Sequence, residues 1–268
     1  MTSLPSAPAD APIVGSGRRP RGSQGPHGKV VEGLGYAIVS GSLAAGTLIF
    51  IADLQAEFRV SRTVMREALR VLSDKGLVES RQRKGTTVLG TDRWKLLDPD
   101  VLRWRRNSSG IDELMENLAE VRLLIEPAAA AAAAERATAE ELDAIGLALA
   151  RLADAVAARD PDAVVSADVE FHHRIAIAAH NPLLIEMTGV LLGALAGRDA
   201  VAIEALGFPR YLVPRHRAVL KAIIARNAER AHAEMTTLVN LAQRDARRLA
   251  TSRRSHAARG NGKPRARR

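Results

Sequence analysis

The chain has 268 residues, no cysteine and a formal net charge of +9. Disulfides and thiolate metal sites are therefore excluded, and no apolar run approaches the ~20 residues of a membrane-spanning helix. With no apolar signal-peptide core at the N-terminus, a cytoplasmic protein with room for two domains is the expected class.

The charge is unevenly spread. Residues 1–90 carry 12 Lys+Arg against 7 Asp+Glu, residues 91–243 carry 17 against 22, and residues 244–268 carry 10 against 1. Basic ends around an acidic middle point to a polyanion partner for the ends and a different task for the centre. Aromatics make up only 3% of the chain, which disfavours base stacking on single strands and leaves duplex DNA as the better candidate.

Residues 1–27 are rich in Pro, Gly, Ser and Ala, with a basic Arg18-Arg19-Pro20-Arg21 cluster, and read as a disordered basic arm. From Lys29 to Ser40, Val30, Leu34, Ala37 and Ile38 recur at helical spacing, and Gly41 and Gly46 bracket the turn that follows. A short helix is expected over Ile51–Phe58. The next helix begins after Ser61, which can cap its first turn. Met65, Ala68, Leu69 and Leu72 form its apolar stripe, while Arg62, Arg66 and Arg70 lie opposite. An amphipathic helix with a solvated basic face is the plain alternative.

Beyond it, Leu77–Ser80 and Thr86–Val88 flank a basic turn containing Arg81, Arg83, Lys84 and Gly85, which predicts a β-hairpin. Two helices joined by a tight turn form a helix-turn-helix, and the hairpin would be its wing. In that arrangement Ser61, Arg62, Thr63, Arg66 and Arg70 meet the DNA groove and phosphates, and Arg81, Arg83, Lys84 and Gly85 flank the backbone.

Residues 29–90 resemble the winged helix-turn-helix of the GntR family of bacterial transcription regulators. The resemblance is carried by Ile38-Val-Ser-Gly-Ser-Leu43, Val60-Ser-Arg-Thr-Val-Met-Arg-Glu-Ala-Leu69, Gly76-Leu-Val78 and Lys84-Gly-Thr-Thr-Val88. It implies DNA contact by Arg62, Arg66 and the wing. The chain departs from the family at Ile51-Ala52, where a charged pair, often including a DNA-contacting arginine, is usual.

Residues 91–110 read as a linker helix started by Asp98-Pro99, with Trp94, Leu97, Val101 and Trp104 as docking residues and the segment as a whole the joint between domains. From Ile111 to about Arg254 the pattern is helical throughout. Helices are expected at about Ala139–Ala158, Pro161–Ala179, Pro182–Leu195, Tyr211–Ala225 and Ala228–Ser252, and Pro127 should kink or restart the first helix of the series. The expected organisation is therefore mainly α. It comprises an arm (1–27), a winged helix-turn-helix of three helices plus a β-hairpin wing (28–90), the linker helix (91–110), an all-α helical bundle (111–254) and a basic disordered tail (255–268).

Within the helical region Asp168 and His172 are four residues apart and share a helix face, a spacing suited to metal ligation but also to an ordinary surface pair. His173 points about 100° away from His172, and His180 lies two turns further along. Glu120–Glu126, Asp168–His172, Asn181-Pro-Leu183 and His216–Ile223 are similar to the FCD effector domain of the FadR subfamily. That resemblance implies a homodimer and a divalent ion, zinc or nickel, on Asp168, His172 and His216. It also implies an effector carboxylate on Arg122, with Asn181 nearby.

A salt bridge from Arg122 to Glu126 is the alternative for Arg122. The fourth histidine of metal-binding members falls at Leu238, which cannot ligate, and His232 is turned about 120° away on the same helix. An ion-free pocket is the alternative to a metal site. The Trp94–Trp104 stretch is similar to subfamily members that respond to sugar acids such as galactonate.

The expected function is a DNA-binding transcription regulator of repressor sign, with operator duplex DNA and a small carboxylate or sugar-acid effector as partners and no membrane. A helical metallohydrolase using Asp168, His172 and His216, or a non-specific basic DNA-binding protein, are the competing readings.

Overall fold

The computed structural model describes residues 25–81, 85–108 and 110–260. The chain divides into two compact units, Met1–Leu114 and Met115–Arg268.

The first unit contains α1 (Pro26–Val39), β1 (Leu48–Ile49), α2 (Ile51–Phe58), α3 (Arg62–Asp74), β2 (Val78–Arg81), β3 (Gly85–Val88) and α4 (Pro99–Arg106). Helix α1 starts three residues before the expected Lys29 because Pro26 sits in its first turn, where the missing N–H costs nothing and φ is already helical. It therefore takes in the last two residues of the expected arm.

The stripe read for α3 is its buried face: Met65, Ala68 and Leu72 have no exposure and Leu69 has 3%. Ser61 caps the helix, its Oγ accepting from Val64 N at 3.3 Å. Gly76, with φ +76°, turns the chain out of α3, and a Cβ there would sit 2.1 Å from the Arg93 carbonyl oxygen, so only glycine fits.

The wing is broader than the expected hairpin. Strand β3 lies between β2 and β1 in an antiparallel sheet of order β1-β3-β2, with Val78 opposite Val88, Arg81 opposite Gly85 and Ile49 opposite Thr86. A two-residue strand is too short to show alternation, which is why β1 left no mark in the sequence.

The linker helix docks as its apolar residues suggested, and its neighbour is the first unit: Val101 and Trp104 of α4 belong to that core together with Leu34, Met65 and Leu77. Trp104 is 1% exposed, and a Cβ at Gly35 would stand 2.3 Å from its ring, so α1 and α4 can touch only because residue 35 has no side chain. Glu32 accepts from Trp104 Nε1 at 3.0 Å and from Arg103 at 2.6 and 2.7 Å.

From the C-terminal cap of α3, Lys75 reaches Asp98 at 2.9 Å and Asp100 at 2.8 Å. Burial works against its charge, but those two carboxylates overcome it and raise the Lys75 pKa. Amphipathicity identified the helix; what it would dock onto was a tertiary question.

The second unit is all helical among the described residues. It is built from α5 (Ile111–Arg136), whose first turn precedes the division, and then α6 (Ala139–Ala158), α7 (Pro161–Ala178), α8 (Pro182–Leu206), α9 (Leu212–Ile224) and α10 (Ala228–Gly260). Its core joins Ala130, Ala133 and Ala134 of α5 to Ile145 and Leu152, Phe171 and Ile175, Val219 and Ile223, and Met235.

Three boundaries differ from expectation. Helix α5 does not restart at Pro127. Proline removes one internal hydrogen bond, and the alanine run after it, which has the highest helix propensity, packs into the core and carries the helix on. Helix α8 runs through to Leu206 and stops only at Gly207, where φ is +80°. Helix α10 continues to Gly260, into the segment expected to be a disordered tail. No helix of the described residues is long and apolar enough to cross a membrane.

Candidate functional site

On the first unit the functional face is the exterior of α3. Arg62, Thr63, Arg66 and Arg70 are all exposed, and among the described residues none of these three arginines forms an ion pair. Their charge is available to an external anion. Ser61 is exposed beside them, with its hydroxyl engaged in the cap. Arg81 differs, because its Nε lies 3.0 Å from Glu79 on the same strand. Gly85, with φ +87°, opens β3. Arg83 and Lys84 lie outside the described residues. Ile51 and Ala52 begin α2 as the sequence suggested, so no side-chain charge stands at that helix start before Asp53.

The second unit holds a cavity of about 90 Å³ lined by residues of α5, α7, α8, α9 and α10. Asp168 and His172 project from α7 and His216 from α9, and one potential ligand atom from each lies within 4.8 Å of the others. The two histidines are 3% and 1% exposed. His216 Nε2 is 2.9 Å from Asp168 Oδ1, and His172 Nε2 is 3.9 Å from Asp168 Oδ2. Helical periodicity supplied the Asp168–His172 pair; only the packing of α9 on the bundle adds His216.

The imidazoles are oriented from behind. His216 Nδ1 is 2.7 Å from the Leu212 carbonyl one turn earlier, which makes Nδ1 the protonated nitrogen and leaves Nε2 with its lone pair. That Nε2 is buried without a hydrogen bond, although a carboxylate oxygen lies 2.9 Å away off its axis. A lone pair beside a carboxylate repels it unless a cation lies between them. This orphaned nitrogen, with His172 and Asp168 around the same space, fits a divalent ion.

His172 Nδ1 lies 2.9 Å from Glu126 Oε2, again off the N–H axis. Burial opposes the charge on Glu126, but Arg122 and His172 beside it hold its pKa down at about 2. Burial also opposes the charge on Asp168, and His172 and Arg122 nearby pull its pKa below the carboxylate range. Burial lowers the pKa of His172, but Glu126 and Asp168 outweigh it and raise the value. The surroundings thus favour a positive charge at this point, and a metal ion would compete with a proton for it.

For Arg122 the salt bridge read as the alternative is present. Arg122 borders the cavity, and it forms a buried ion pair with Glu126, from Nε to Oε1 and from Nη2 to Oε2 at 3.2 Å. Asn181 is placed elsewhere. Its Oδ1 accepts from Leu183 N at 3.0 Å and Leu184 N at 3.4 Å as the cap of α8, and it is not among the residues that line the cavity. Leu238, 3% exposed, lines the cavity where a fourth ligand was looked for, while His232 is exposed. His180 pairs with Glu141 at 2.9 Å and takes no part.

Two polar lining residues escaped the sequence reading. Tyr211 immediately precedes α9, and its hydroxyl donates to Asp245 Oδ2 at 2.6 Å. Asp245 lies seven residues after Leu238, two turns along the same helix face, and that spacing was the available signal. Nothing local marked Tyr211.

A winged helix with an unpaired arginine face, followed by a helical unit with a polar-tipped cavity, defines a DNA-binding regulator with a ligand-sensing unit. Comparison with known proteins agrees. The profile for bacterial regulatory proteins of the gntR family matches residues 26–88, and that for the FCD domain matches residues 117–241. The galactonate operon transcriptional repressor of Escherichia coli (strain K12) is 33% identical over 215 residues, covering 79% of this chain and 92% of that protein. The Uxu operon transcriptional regulator of the same organism is 37% identical over 131 residues, 48% of each chain. The solved structure of Lar, described as controlling expression of the Listeria monocytogenes agr system, superposes with a TM-score of 0.58 at 17% identity, covering 83% of this chain and 97% of that one.

The chain belongs to the GntR family of transcription regulators, with a C-terminal FCD domain. It is a DNA-binding regulator of transcription, and the hydrolase and non-specific DNA-binding readings fall away.

Proposed function

We propose that this regulator is a homodimeric repressor released from its operator by a small hydroxylated carboxylate bound in the FCD cavity. The observation that carries the reading is the cavity itself, where Asp168, His172, His216 and Arg122 converge.

Asp168, His172 and His216 would hold a divalent ion, zinc or nickel. With Leu238 in place of a further ligand, these three residues would leave an ion open positions, where it would supply Lewis acidity toward ligand oxygens. Arg122 adds a planar guanidinium suited to a carboxylate, with Glu126 fixing its orientation. Asn181, already spent on the α8 cap, has no part in it. Galactonate, after which the operon of the similar repressor is named, is a hydroxylated monocarboxylate of this chemistry.

On DNA, Arg62, Arg66 and Arg70 face the groove and phosphates with Ser61 and Thr63 at the helix start. Arg81, Gly85, Arg83 and Lys84 of the wing lie alongside. One helix-turn-helix makes few specific contacts, so two copies on a two-fold operator are expected. Release requires the ligand to favour one arrangement of the two DNA heads over the other. The protein would work in the cytoplasm, where its DNA is.

The test has two arms. Protein purified without a histidine tag contains divalent metal that falls to trace in His172→Ala and His216→Ala; equal metal in all three removes the ion site. Duplexes selected from a random pool carry a two-fold repeat, and galactonate lowers their retention. A motif without two-fold symmetry, or retention indifferent to every organic acid tried, overturns the reading.

A further inference from the structure

We propose that Tyr211 and Asp245 form a second, hydroxyl-reading end of this cavity, which makes it selective for a polyhydroxylated monocarboxylate of five or six carbons. The proposal rests on the reading that the triad end receives the carboxylate, and it adds what the other end recognises.

Two antiparallel helices, α9 and α10, run along the cavity. On α10, Leu238 is 3% exposed and lines the cavity beside the triad, and Asp245 follows seven residues later, about 10 Å along the axis. On α9, His216 is 1% exposed, and Tyr211 precedes the helix more than a turn away. The Asp245 side chain is 23% exposed, so this end is open to solvent. The Tyr211 hydroxyl donates to Asp245 Oδ2 at 2.6 Å and ties the two helices together there. Between the ends the wall is apolar, with Val164, Ile203 and Ala242.

A ligand anchored by its carboxylate at the inner end lays its carbon chain along the apolar wall and brings its far end to Asp245. Oδ1 of Asp245 has Arg248 at 3.6 Å, and that arginine is 77% exposed, so the oxygen can accept from a ligand hydroxyl without dismantling a buried pair. Each kind of acid meets a different outcome. A polyol chain supplies the donor. A three-carbon acid does not reach. A fatty acid of matching length reaches but offers no donor and strips water from a carboxylate. A dicarboxylate places its second carboxylate against Asp245 and is repelled.

The experiment is calorimetric titration of the full, zinc-loaded chain with galactonate, L-lactate, hexanoate and galactarate. The variants are Asp245→Asn, Tyr211→Phe and, as a control on the inner end, Arg122→Gln. Circular dichroism and zinc content of each variant establish that fold and ion site are intact.

Wild type is expected to bind galactonate at least tenfold more tightly than the other three, since a hydrogen bond to a charged group is worth about one decade in affinity. Asp245→Asn and Tyr211→Phe should remove most of that preference while leaving lactate unchanged, and Asp245→Asn should admit galactarate. Galactonate binding that is lost in Arg122→Gln but untouched in both distal variants overturns this proposal and leaves the carboxylate reading standing. Hexanoate binding as tightly as galactonate also overturns it. If no acid binds the wild type, the carboxylate reading falls and this proposal with it.

Discussion

The two units place their functional residues in opposite ways. In the first, the arginines sit on the outside of one helix, exposed and without an ion pair among the described residues, and their opposite face is the core. In the second, the candidate ligands come from three helices, α5, α7 and α9, face inward, and are nearly all buried. An exterior face can be lost residue by residue without harming the fold. An interior cavity is made of the same helices that hold the unit together, so recognition and stability share side chains there.

Trp104→Ala should show the largest effect. It removes a large ring packed against Gly35 together with its bond to Glu32, and about 3–5 kcal/mol of first-unit stability should go with it. Chemical denaturation followed by circular dichroism would read the loss as an earlier transition, while zinc content stays the same. Loss of zinc along with the transition would mean that the two units are not separable in this way.

Arg66→Ala tests the exterior face itself. About 1–3 kcal/mol of specific DNA binding is expected to disappear with no change in thermal stability. Arg81→Ala should cost less, about 0–1 kcal/mol, because Glu79 already occupies that guanidinium. Gel-shift titrations at two salt concentrations would rank the two variants, and an Arg81 effect as large as that of Arg66 would contradict the assignment of α3 as the reading element.

Leu238→His probes the interior and is the subtlest change. If position 238 faces the ion, zinc affinity measured against a chelator should rise about tenfold, some 1.4 kcal/mol. An unchanged affinity would show that α10 does not present residue 238 to the triad.

The same contrast explains what could be read before the fold was known. The buried stripe Met65, Ala68, Leu69 and Leu72, the Ser61 cap and the arginine face all follow from local periodicity and are all present. Helix α6 starts at the expected Ala139, and the structure adds a capping box of Thr138 with Glu141.

The second unit yielded less, because helical spacing can pair Asp168 with His172 but cannot say that α9 brings His216 beside them. Resemblance to a family supplied that step, and it also offered Asn181, which the local chemistry of a helix cap claimed instead. Tyr211 and Asp245 are 34 residues apart and adjoin only through the packing of α9 on α10. Pro127 misled for a related reason: its local cost is real, but core alanines beyond it sustain the helix.

The docking of α4 has an optical consequence. The chain has only two tryptophans, and both belong to the first unit: Trp104 in its core, and Trp94 partly buried with its indole N–H on the Leu89 carbonyl at 3.0 Å. The ligand cavity has none among its described lining residues. Indole emission therefore watches the DNA-reading half alone. An acid that enters the FCD cavity and shifts that emission has sent its signal along the chain, and one that binds silently has not.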